Sequence, residues 1–356
     1  MKAVILAAGQ GTRLRPVTLT MPKPLVPVAN KSLIIYAIDV LKNAGVKDVG
    51  IVVNDLSSPI VTQLGKGESV GVNLEYIVQE QQLGLAHAVK LCKDFIGDEP
   101  FAVYLGDNIF QDRVEDLIRN FEDSDNEAAI SLVPVPDPER FGIAETEGDR
   151  ITRVVEKPKE PKSNLAICGV YLFRSSIFDA IKKIKPSWRN ELEITDAIQV
   201  LISEGNKVLP YTLKGWWIDA GKPGAIINAN QLVLGEMPYT PAPKSDDIVD
   251  SEISHRVILG KNTTVKNSVI RGPVIIGDNV SIENSYIGPY TSIGDNVKIY
   301  NSEIEASIIM KDCKLRDLPG RVDSSLMADN TEVTSAAART PAVYRFILAE
   351  NSFIQL

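Results

Sequence analysis

The chain has 356 residues, of which 44% are hydrophobic and 24% are charged, an ordinary globular composition that leaves room for two domains. Its formal net charge of −8 argues against a broad nucleic-acid-binding surface, so we expect any phosphate site to be local. The first apolar run is too short for an export signal, and no later stretch is long enough to span a membrane. Cys92, Cys168 and Cys313 are widely spaced and lack metal-ligand neighbours, which predicts buried free thiols in a reducing cytoplasm.

Residues 1–236 are predicted to alternate between strands and helices. The strand candidates are Ala3–Ala7, Val49–Val53, Leu74–Val78, Phe101–Leu105 and Ala129–Val135, and the helix candidates are Leu33–Ala44, Leu83–Phe95 and Val114–Phe121. This alternation predicts an α/β fold with a Rossmann-like, mostly parallel sheet sandwiched by helices, in which ligands bind beyond the carboxyl ends of the strands. The Pro-rich residues 237–248 are typical of a linker between domains.

A 17-residue repeat begins after this linker. Its tetrapeptides end in an aliphatic residue and are Asp250–Ile253, Asn267–Ile270, Asn284–Ile287 and Asn301–Ile304. Aliphatic residues at steps of five or six predict three short strands per coil, so residues 249–335 are predicted to form a parallel β-helix. A loop near Asp317–Arg321 interrupts the last coil, and we expect residues 336–356 to form a C-terminal tail packed on the β-helix.

The most informative segment is a glycine-rich loop directly after the first predicted strand. It reads Ala8-Gly9-Gln10-Gly11-Thr12-Arg13-Leu14, and Pro22-Lys23-Pro24 follows at a short distance. Glycines without a Cβ let the backbone approach a ligand, and backbone N–H groups together with Arg13 and Lys23 attract anions. The loop lacks both the Gly-Lys-Ser/Thr ending of a P-loop and the third glycine of the dinucleotide fingerprint. It therefore predicts a triphosphate site of another kind.

The combined string resembles the opening motif of the sugar nucleotidyltransferases, also called nucleotide-sugar pyrophosphorylases. Over essentially its whole length, the chain is most similar to the long glucose-1-phosphate thymidylyltransferases of that family. The resemblance implies that dTTP and glucose 1-phosphate give dTDP-glucose and pyrophosphate, for the synthesis of deoxysugar or polysaccharide precursors. UTP in place of dTTP, or the use of both, stays open. The resemblance also implies a left-handed, hexapeptide-type β-helix.

Two aspartates are candidate metal ligands. Asp107 closes a predicted strand in Leu105-Gly106-Asp107-Asn108, a position that suits a divalent cation but is equally typical of a turn or helix cap. Asp219 lies in Trp217-Ile218-Asp219-Ala220-Gly221. The resemblance implies that Asp107 and Asp219 share Mg²⁺.

The resemblance also assigns the two substrate pockets. Gln79 is expected to read a pyrimidine edge, which its amide can do as donor or acceptor, and Gly84 to let the backbone touch the base. The nucleotide-binding residues would be Ala8, Gly9, Gly11, Thr12, Arg13, Gln79, Gly84 and Asp107. The sugar-phosphate-binding residues would be Phe141, Gly142, Glu156, Lys157, Gly169, Tyr171, Arg189 and Trp217. Phe141 stands where shorter members carry tyrosine, which puts a hydrogen bond at this position in doubt.

The predicted catalytic residues are Arg13, Lys23, Asp107 and Lys157. Arg13 would stabilise the leaving pyrophosphate, Lys23 would hold phosphate oxygens near the reacting centre, and Lys157 with Arg189 would reduce repulsion between the two anionic substrates. His87 and His255 lack a neighbouring Ser or Cys nucleophile, which favours catalysis by positioning and charge. We expect His87 to be structural.

Two alternatives belong to other classes of protein. A catalytically silent regulatory subunit is disfavoured by the intact Arg13, Lys23, Asp107 and Asp219. An acyltransferase acting through the β-helix is disfavoured because no histidine follows His255. We expect the β-helix to serve oligomerisation or regulation in a homo-oligomer, with Tyr286, Tyr290 and Tyr300 as candidate contacts.

Overall fold

The computed structural model describes residues 1–111 and 113–335 of the chain. They form two compact units, the first comprising Met1–Gln10, Pro22–Leu25 and Leu33–Asp219. The second unit comprises Gly11–Met21, Val26–Ser32 and the chain from Ala220 onwards. The domain boundaries predicted above stay predictions, and the predicted tail 336–356 lies outside the described residues. Within residues 1–111 and 113–335, no helix combines the length and the apolar character needed to cross a membrane.

The elements before the β-helix are short and alternate as the sequence predicts. The strands are β1 (Lys2–Leu6), β2 (Pro27–Val28), β3 (Lys31–Ser32), β4 (Asp48–Val53), β5 (Asn73–Val78), β6 (Phe101–Leu105), β7 (Asn108–Phe110), β8 (Ala128–Pro134), β9 (Gly142–Glu147), β10 (Arg150–Glu156), β11 (Leu165–Phe173), β12 (Val208–Thr212) and β13 (Trp217–Asp219). The α-helices are α1 (Leu33–Asn43), α2 (Pro59–Leu64), α3 (Leu85–Leu91), α4 (Lys93–Ile96), α5 (Glu115–Glu122), α6 (Ser176–Lys183), α7 (Ile194–Ser203) and α8 (Pro223–Gly235). Single 3₁₀ turns are Thr12–Leu14, Val17–Leu19, Lys23–Leu25 and Pro138–Arg140.

The first unit is a Rossmann-like α/β fold built on a mixed, mostly parallel sheet. β5, β4, β1 and β6 lie side by side in that order and run parallel to one another, and β12 runs parallel to β8. β11 is antiparallel to both β6 and β8, and the β9–β10 hairpin adds to its edge. Fully buried apolar side chains such as Val4, Val103 and Ile130 pack with helix residues including Val89 and Ile198 into one core. Because they are parallel, β1, β5 and β6 have their carboxyl ends at the same edge of the sheet.

The second unit contains a left-handed parallel β-helix. Its strands are β14 (Ile248–Val249), β15 (Glu252–Ile253), β16 (Val257–Leu259), β17 (Thr264–Lys266), β18 (Val269–Ile270), β19 (Val274–Ile276), β20 (Ser281–Glu283), β21 (Tyr286–Ile287), β22 (Thr291–Ile293), β23 (Lys298–Tyr300), β24 (Glu303–Glu305), β25 (Ile308–Ile309), β26 (Lys314–Arg316), β27 (Val322–Asp323), β28 (Leu326–Met327) and β29 (Glu332–Thr334). Strands one repeat apart pair in parallel, so Val265 lies beside Ile282 and Ile282 beside Ile299. These residues are fully buried in the column of aliphatic side chains that the repeat predicts.

The repeated asparagine occupies the corners of the coils. Asn267, Asn284 and Asn301 have φ values of 45°, 49° and 47°, in the left-handed region that asparagine tolerates better than most residues. The Asn267 side-chain amide donates to Asn284 Oδ1 of the next coil at 2.7 Å. The sequence repeat therefore reflects both a backbone conformation and a ladder of hydrogen bonds between coils. After β26, the predicted interruption near Asp317–Arg321 is confirmed, because the coil resumes only at β27.

A buried asparagine connects three parts of the second unit. Asn230 on α8 is fully buried, and its Oδ1 accepts hydrogen bonds from the Ala29 N–H and from Ser292 Oγ, both at 2.8 Å. Its Nδ2 donates to the Tyr290 carbonyl at 2.9 Å. Asn230 thus ties the β2–β3 hairpin and the β-helix to the same helix.

Candidate active site

A short antiparallel ribbon brings the two predicted acidic residues together. β7 begins directly after Asp107, and Asp219 at the end of β13 pairs with Asn108 at the start of β7. The Lys23 ammonium contacts the Asp107 carboxylate and lies 3.7 Å from Asp219 Oδ1. The two carboxylates therefore converge on one positive charge.

Lys23 is held in an unusually buried position for a lysine. It begins the 3₁₀ turn Lys23–Leu25 between Pro22 and Pro24, and the Leu25 N–H donates to the Pro22 carbonyl at 2.9 Å. Only 8% of its side chain is exposed, compared with 31% for Asp107 and 32% for Asp219. A lysine is seldom this buried unless it is paired, and the two aspartates supply that pairing.

The carboxylates of Asp107 and Asp219 suit a metal ion whose other ligands are water and substrate atoms. Within the described ranges, no group of three or more His, Cys, Asp or Glu side chains is arranged to hold a metal ion. Mg²⁺ is typically bound through one or two carboxylates together with substrate phosphates and water. Asp107 and Asp219, which already face a cation in the form of Lys23, fit such a site.

Asn108 links the acidic pair to the adjoining pocket wall. It is 2% exposed, and its Nδ2 donates to Asp107 Oδ1 at 2.8 Å while its Oδ1 accepts from Trp217 Nε1 at 2.6 Å. A Cβ on Gly169, whose φ is +40°, would lie 2.8 Å from Asn108 Cγ. Gly169 is therefore needed for the packing of Asn108, a residue whose role the sequence did not single out.

The predicted sugar-phosphate residues Glu156, Lys157 and Arg189 form one charged cluster. Glu156 Oε1 lies 3.5 Å from Arg189 Nη1 and 3.9 Å from Lys157 Nζ, and Oε2 accepts from Thr195 Oγ1 at 3.1 Å. Burial, and then the nearby Glu193 carboxylate, raise the pKa of Glu156, although Lys157, Thr195 and Arg189 act in the opposite direction. The protonation state of Glu156 therefore depends on both the positive and the negative charges next to it.

Arg189 is shared among several carboxylates. Besides Glu156, its guanidinium lies 3.5 Å from Glu193 Oε1 and 3.0 Å from Glu191 Oε1. Glu193 is almost fully buried and also accepts a hydrogen bond from Ser187 Oγ at 2.8 Å. Glu191 and Thr195 were not predicted as site residues, because their relevance depends on how the start of α7 and the segment before it are placed.

The other residues predicted to bind the sugar phosphate differ in how deeply they are buried. The Phe141 ring meets Trp217 edge-on at a centroid distance of 5.4 Å, and its carbonyl accepts from the Lys157 N–H at 3.0 Å. A Cβ on Gly142 would lie 2.8 Å from Thr195 Cγ2, so only glycine leaves that side chain in place. Tyr171 is 4% exposed and stacks on Phe173 in the core, a position that favours a role in supporting the pocket wall.

Gln79 and Gly84 lie at the end of β5 and the start of α3. Gln79 is 4% exposed, and its Nε2 is 3.3 Å from the Gly84 carbonyl oxygen and 3.0 Å from His87 Nδ1. Gly84 has a φ of +109°, and a Cβ there would lie 2.5 Å from the Leu192 carbonyl oxygen. Close backbone packing therefore requires glycine at position 84 independently of any ligand.

The glycine-rich loop passes from the first unit into the second. In the first unit Ala8 is buried, and a Cβ on Gly9 would meet open space. In the second unit Gly11, with a φ of 62°, precedes the 3₁₀ turn that carries the exposed Thr12 and Arg13.

Arg13 also makes close contact within the second unit. A Cβ on Gly221 would lie 2.9 Å from Arg13 Nη2, so the guanidinium approaches the backbone at that glycine.

A family model described as nucleotidyl transferase matches residues 2–236. The chain belongs to the nucleotidyl transferase family. The low-salt glycan biosynthesis nucleotidyltransferase Agl11 of Haloferax volcanii is 42% identical over 360 residues, which cover both chains completely. A glucose-1-phosphate thymidylyltransferase of Streptomyces griseus is 41% identical over 359 residues, covering 100% of this chain and 99% of the relative. The resemblance to sugar nucleotidyltransferases is thereby confirmed, and the chain is a nucleotidyltransferase.

Other relatives match about two thirds of the chain. The UTP–glucose-1-phosphate uridylyltransferase AglF of Haloferax volcanii is 39% identical over 239 residues, covering 66% of this chain and 98% of the relative. A solved structure of UDP-glucose pyrophosphorylase complexed with UDP-glucose matches with a TM-score of 0.60 and 28% identity. It covers 66% of this chain and 98% of the other.

Proposed function

We propose that this nucleotidyltransferase transfers the thymidylyl group of dTTP to glucose 1-phosphate, releasing pyrophosphate and dTDP-glucose for the synthesis of deoxysugar or polysaccharide precursors. The full-length similarity to a glucose-1-phosphate thymidylyltransferase supports the choice of substrates. The observation that carries the chemistry is the convergence of Asp107 and Asp219 on the Lys23 ammonium. With a divalent cation on the two carboxylates, this centre would carry the net positive charge that two anionic substrates require before they can react.

In this proposal a phosphate oxygen of glucose 1-phosphate attacks the α-phosphorus of the triphosphate in line. The new P–O bond forms as the bond to the bridging oxygen of the β-phosphate breaks, and that oxygen leaves with pyrophosphate. Asp107 and Asp219 would hold Mg²⁺, which supplies neutralisation of the phosphate charge. Lys23 holds phosphate oxygens near the reacting centre, and Arg13 stabilises the pyrophosphate.

Arg189 and Lys157 take the sugar phosphate. Arg189 contacts the carboxylates of Glu156, Glu191 and Glu193, and a phosphate that binds there would exchange one anionic partner for another. This exchange releases Glu156 from Arg189 Nη1 and lets its carboxylate accept hydrogen bonds from sugar hydroxyls. The three carboxylates orient the guanidinium, which lowers the ordering cost of binding.

UTP is the alternative nucleotide. The similarity to AglF and to the UDP-glucose pyrophosphorylase complex favours it. Thymine differs from uracil by one methyl group, which is worth about 1–3 kcal/mol in a binding pocket. We therefore expect measurable turnover with both nucleotides and a preference of about 10- to 200-fold at most.

The test is pyrophosphate release from Mg²⁺, glucose 1-phosphate and each of dTTP, UTP, CTP and ATP. Asp107→Asn and Asp219→Asn should each lower turnover by about 100-fold or more. The matched control is Asp125→Asn, because Asp125 is an exposed aspartate of the same unit that pairs with Lys207. No release with either dTTP or UTP would refute the proposal, as would full activity of both site variants.

We also propose a cytoplasmic homo-oligomer. Free, buried Cys92, Cys168 and Cys313 suit a reducing compartment. Of the candidate contacts on the β-helix, Tyr286 lies under the Arg321 guanidinium at 4.8 Å from the ring centroid, whereas Tyr290 is 39% exposed. Light scattering of the wild type and of Tyr290→Ala would test this assembly, and a monomeric wild type would refute it.

A further inference from the structure

The amide of Gln79 is held by two neighbours. Gln79 follows β5 and is 4% exposed, and its backbone N–H donates to the Val53 carbonyl at 2.8 Å. Its side-chain nitrogen, Nε2, lies 3.3 Å from the Gly84 carbonyl oxygen and 3.0 Å from His87 Nδ1. His87 is on α3, one helical turn beyond Gly84.

These two contacts determine which way the amide faces. A backbone carbonyl can only accept, so the atom nearest the Gly84 oxygen must be the amide nitrogen and not Oε1. The second hydrogen of that nitrogen then points at His87 Nδ1, which must accept it. In a neutral imidazole one nitrogen accepts and the other carries the proton, so His87 is assigned the tautomer protonated at Nε2.

With both amide hydrogens used inside the protein, Gln79 presents its oxygen to a ligand. An oxygen accepts a hydrogen bond from the ring N3–H of uracil or thymine. Cytosine carries no hydrogen on N3 and offers an acceptor there instead. An amide turned by 180° would reverse this preference. We infer that His87 is a positioning residue that fixes the orientation of Gln79 and thereby selects uracil and thymine bases over cytosine, an inference that rests on the proposed function.

The charge state of His87 agrees with this role. Burial, and then the positive charge of Lys90 on the same helix, lower the pKa of His87 below its ordinary value of 6.5. A hydrogen bond involving the Gln81 backbone acts in the opposite direction. The ring is therefore neutral near pH 7, whereas a protonated Nδ1 at acid pH would place a donor against the Gln79 amide donor.

The kinetic test compares His87→Ala with His87→Asn. Asparagine can place an acceptor oxygen where His87 Nδ1 stands, but alanine cannot. We expect the ratio of kcat/KM for UTP over CTP to fall about tenfold in His87→Ala, mainly through a higher KM for UTP, as loss of one net hydrogen bond implies. The ratio should stay within about threefold of wild type in His87→Asn. An unchanged ratio in His87→Ala, or an equal loss in His87→Asn, would overturn the inference.

A pH series provides a second kinetic measurement. On lowering the pH through the His87 titration, the KM for UTP of the wild type should rise relative to that of His87→Asn. Taking the two proteins at the same pH cancels the titration of the triphosphate itself. Parallel profiles for the two proteins would contradict the proposed role of the ring.

A spectroscopic measurement does not depend on turnover. The chain has only two histidines, so a long-range ¹H–¹⁵N spectrum contains two imidazoles, and His87→Asn identifies which one belongs to His87. We expect His87 to be protonated at Nε2 at neutral pH, and a Nδ1–H tautomer would overturn the inference. If the wild type releases no pyrophosphate with any triphosphate, the proposed function fails, while this spectrum still decides the His87–Gln79 contact.

Discussion

Replacement of Lys23 by methionine tests whether the two aspartates form a cation site. The Lys23 side chain is 8% exposed, and its ammonium contacts Asp107 and lies 3.7 Å from Asp219 Oδ1. Unit charges about 4 Å apart interact by about 4 kcal/mol at an effective dielectric constant of 20. Partial exposure of both carboxylates reduces the net value to about 1.5–3 kcal/mol, as for hydrogen bonds to charged groups.

A divalent cation binding to the free protein competes with this ammonium. Lys23→Met removes the competitor, so we expect the affinity for Mn²⁺ or Mg²⁺ to rise by about tenfold or more, corresponding to at least about 1.4 kcal/mol. Turnover of Lys23→Met should fall, because the substrate phosphates lose the Lys23 ammonium as a partner. Affinity is measured by calorimetric titration of the metal in the absence of nucleotide.

Two further variants make this result decisive. Lys207→Met also removes a lysine from an ion pair, but its partner Asp125 lies on the surface, so metal affinity should not change. Adding Asp219→Asn to Lys23→Met should abolish the gain in affinity. The reasoning is refuted if Lys23→Met binds metal no more tightly than wild type while its circular dichroism spectrum shows a folded protein.

Three other changes have defined outcomes. Gly84→Ala should lower the melting temperature strongly, because φ is +109° and the Cβ would lie 2.5 Å from the Leu192 carbonyl oxygen, whereas Gly9→Ala, whose Cβ meets open space, should not. Asn230→Leu leaves three hydrogen-bonding partners without their amide and should lower the free energy of unfolding by about 3 kcal/mol in urea titrations; a loss under about 1 kcal/mol would contradict this. Because burial raises the pKa of Glu156 above 4.5, its stabilising contribution is complete below pH 4.5 and declines as pH rises through the raised value. Glu156→Gln should therefore gain stability relative to wild type as the pH rises above 4.5, and a difference that does not vary with pH would exclude this cause.

The parallel strands could be predicted because they are buried apolar runs. β1, β4, β5, β6 and β8 lie within one residue of their predicted bounds. The predicted helix over residues 83–95 is instead two helices that meet at Cys92, whose ψ of −1° ends α3. A break of this kind leaves no mark in the apolar periodicity, since both halves bury the same face.

The arrangement of the site was less accessible to sequence reasoning. Asp107 and Asp219 meet through β7 and β13, which are three residues long and pair across a large sequence separation. Strands this short carry no alternation that could be recognised. The contact between His87 and Gln79 was likewise missed. It depends on how the loop after β5 positions the start of α3, which the sequence pattern does not show. The family motifs identified the candidate site residues, whereas the neighbours that position those residues are visible only in the folded structure.

The chain alternates between the two units on either side of Lys23. The first-unit segment Pro22–Leu25 is preceded by Gly11–Met21 and followed by Val26–Ser32, both of which belong to the second unit. In that unit, Asn30 Nδ2 donates to the Ile293 carbonyl at 2.7 Å. Within the second unit, this hydrogen bond joins the β2–β3 hairpin to β22. Together with the Asn230 contact to the Ala29 N–H, it holds this hairpin in place, so residues without chemistry of their own determine the internal order of the second unit.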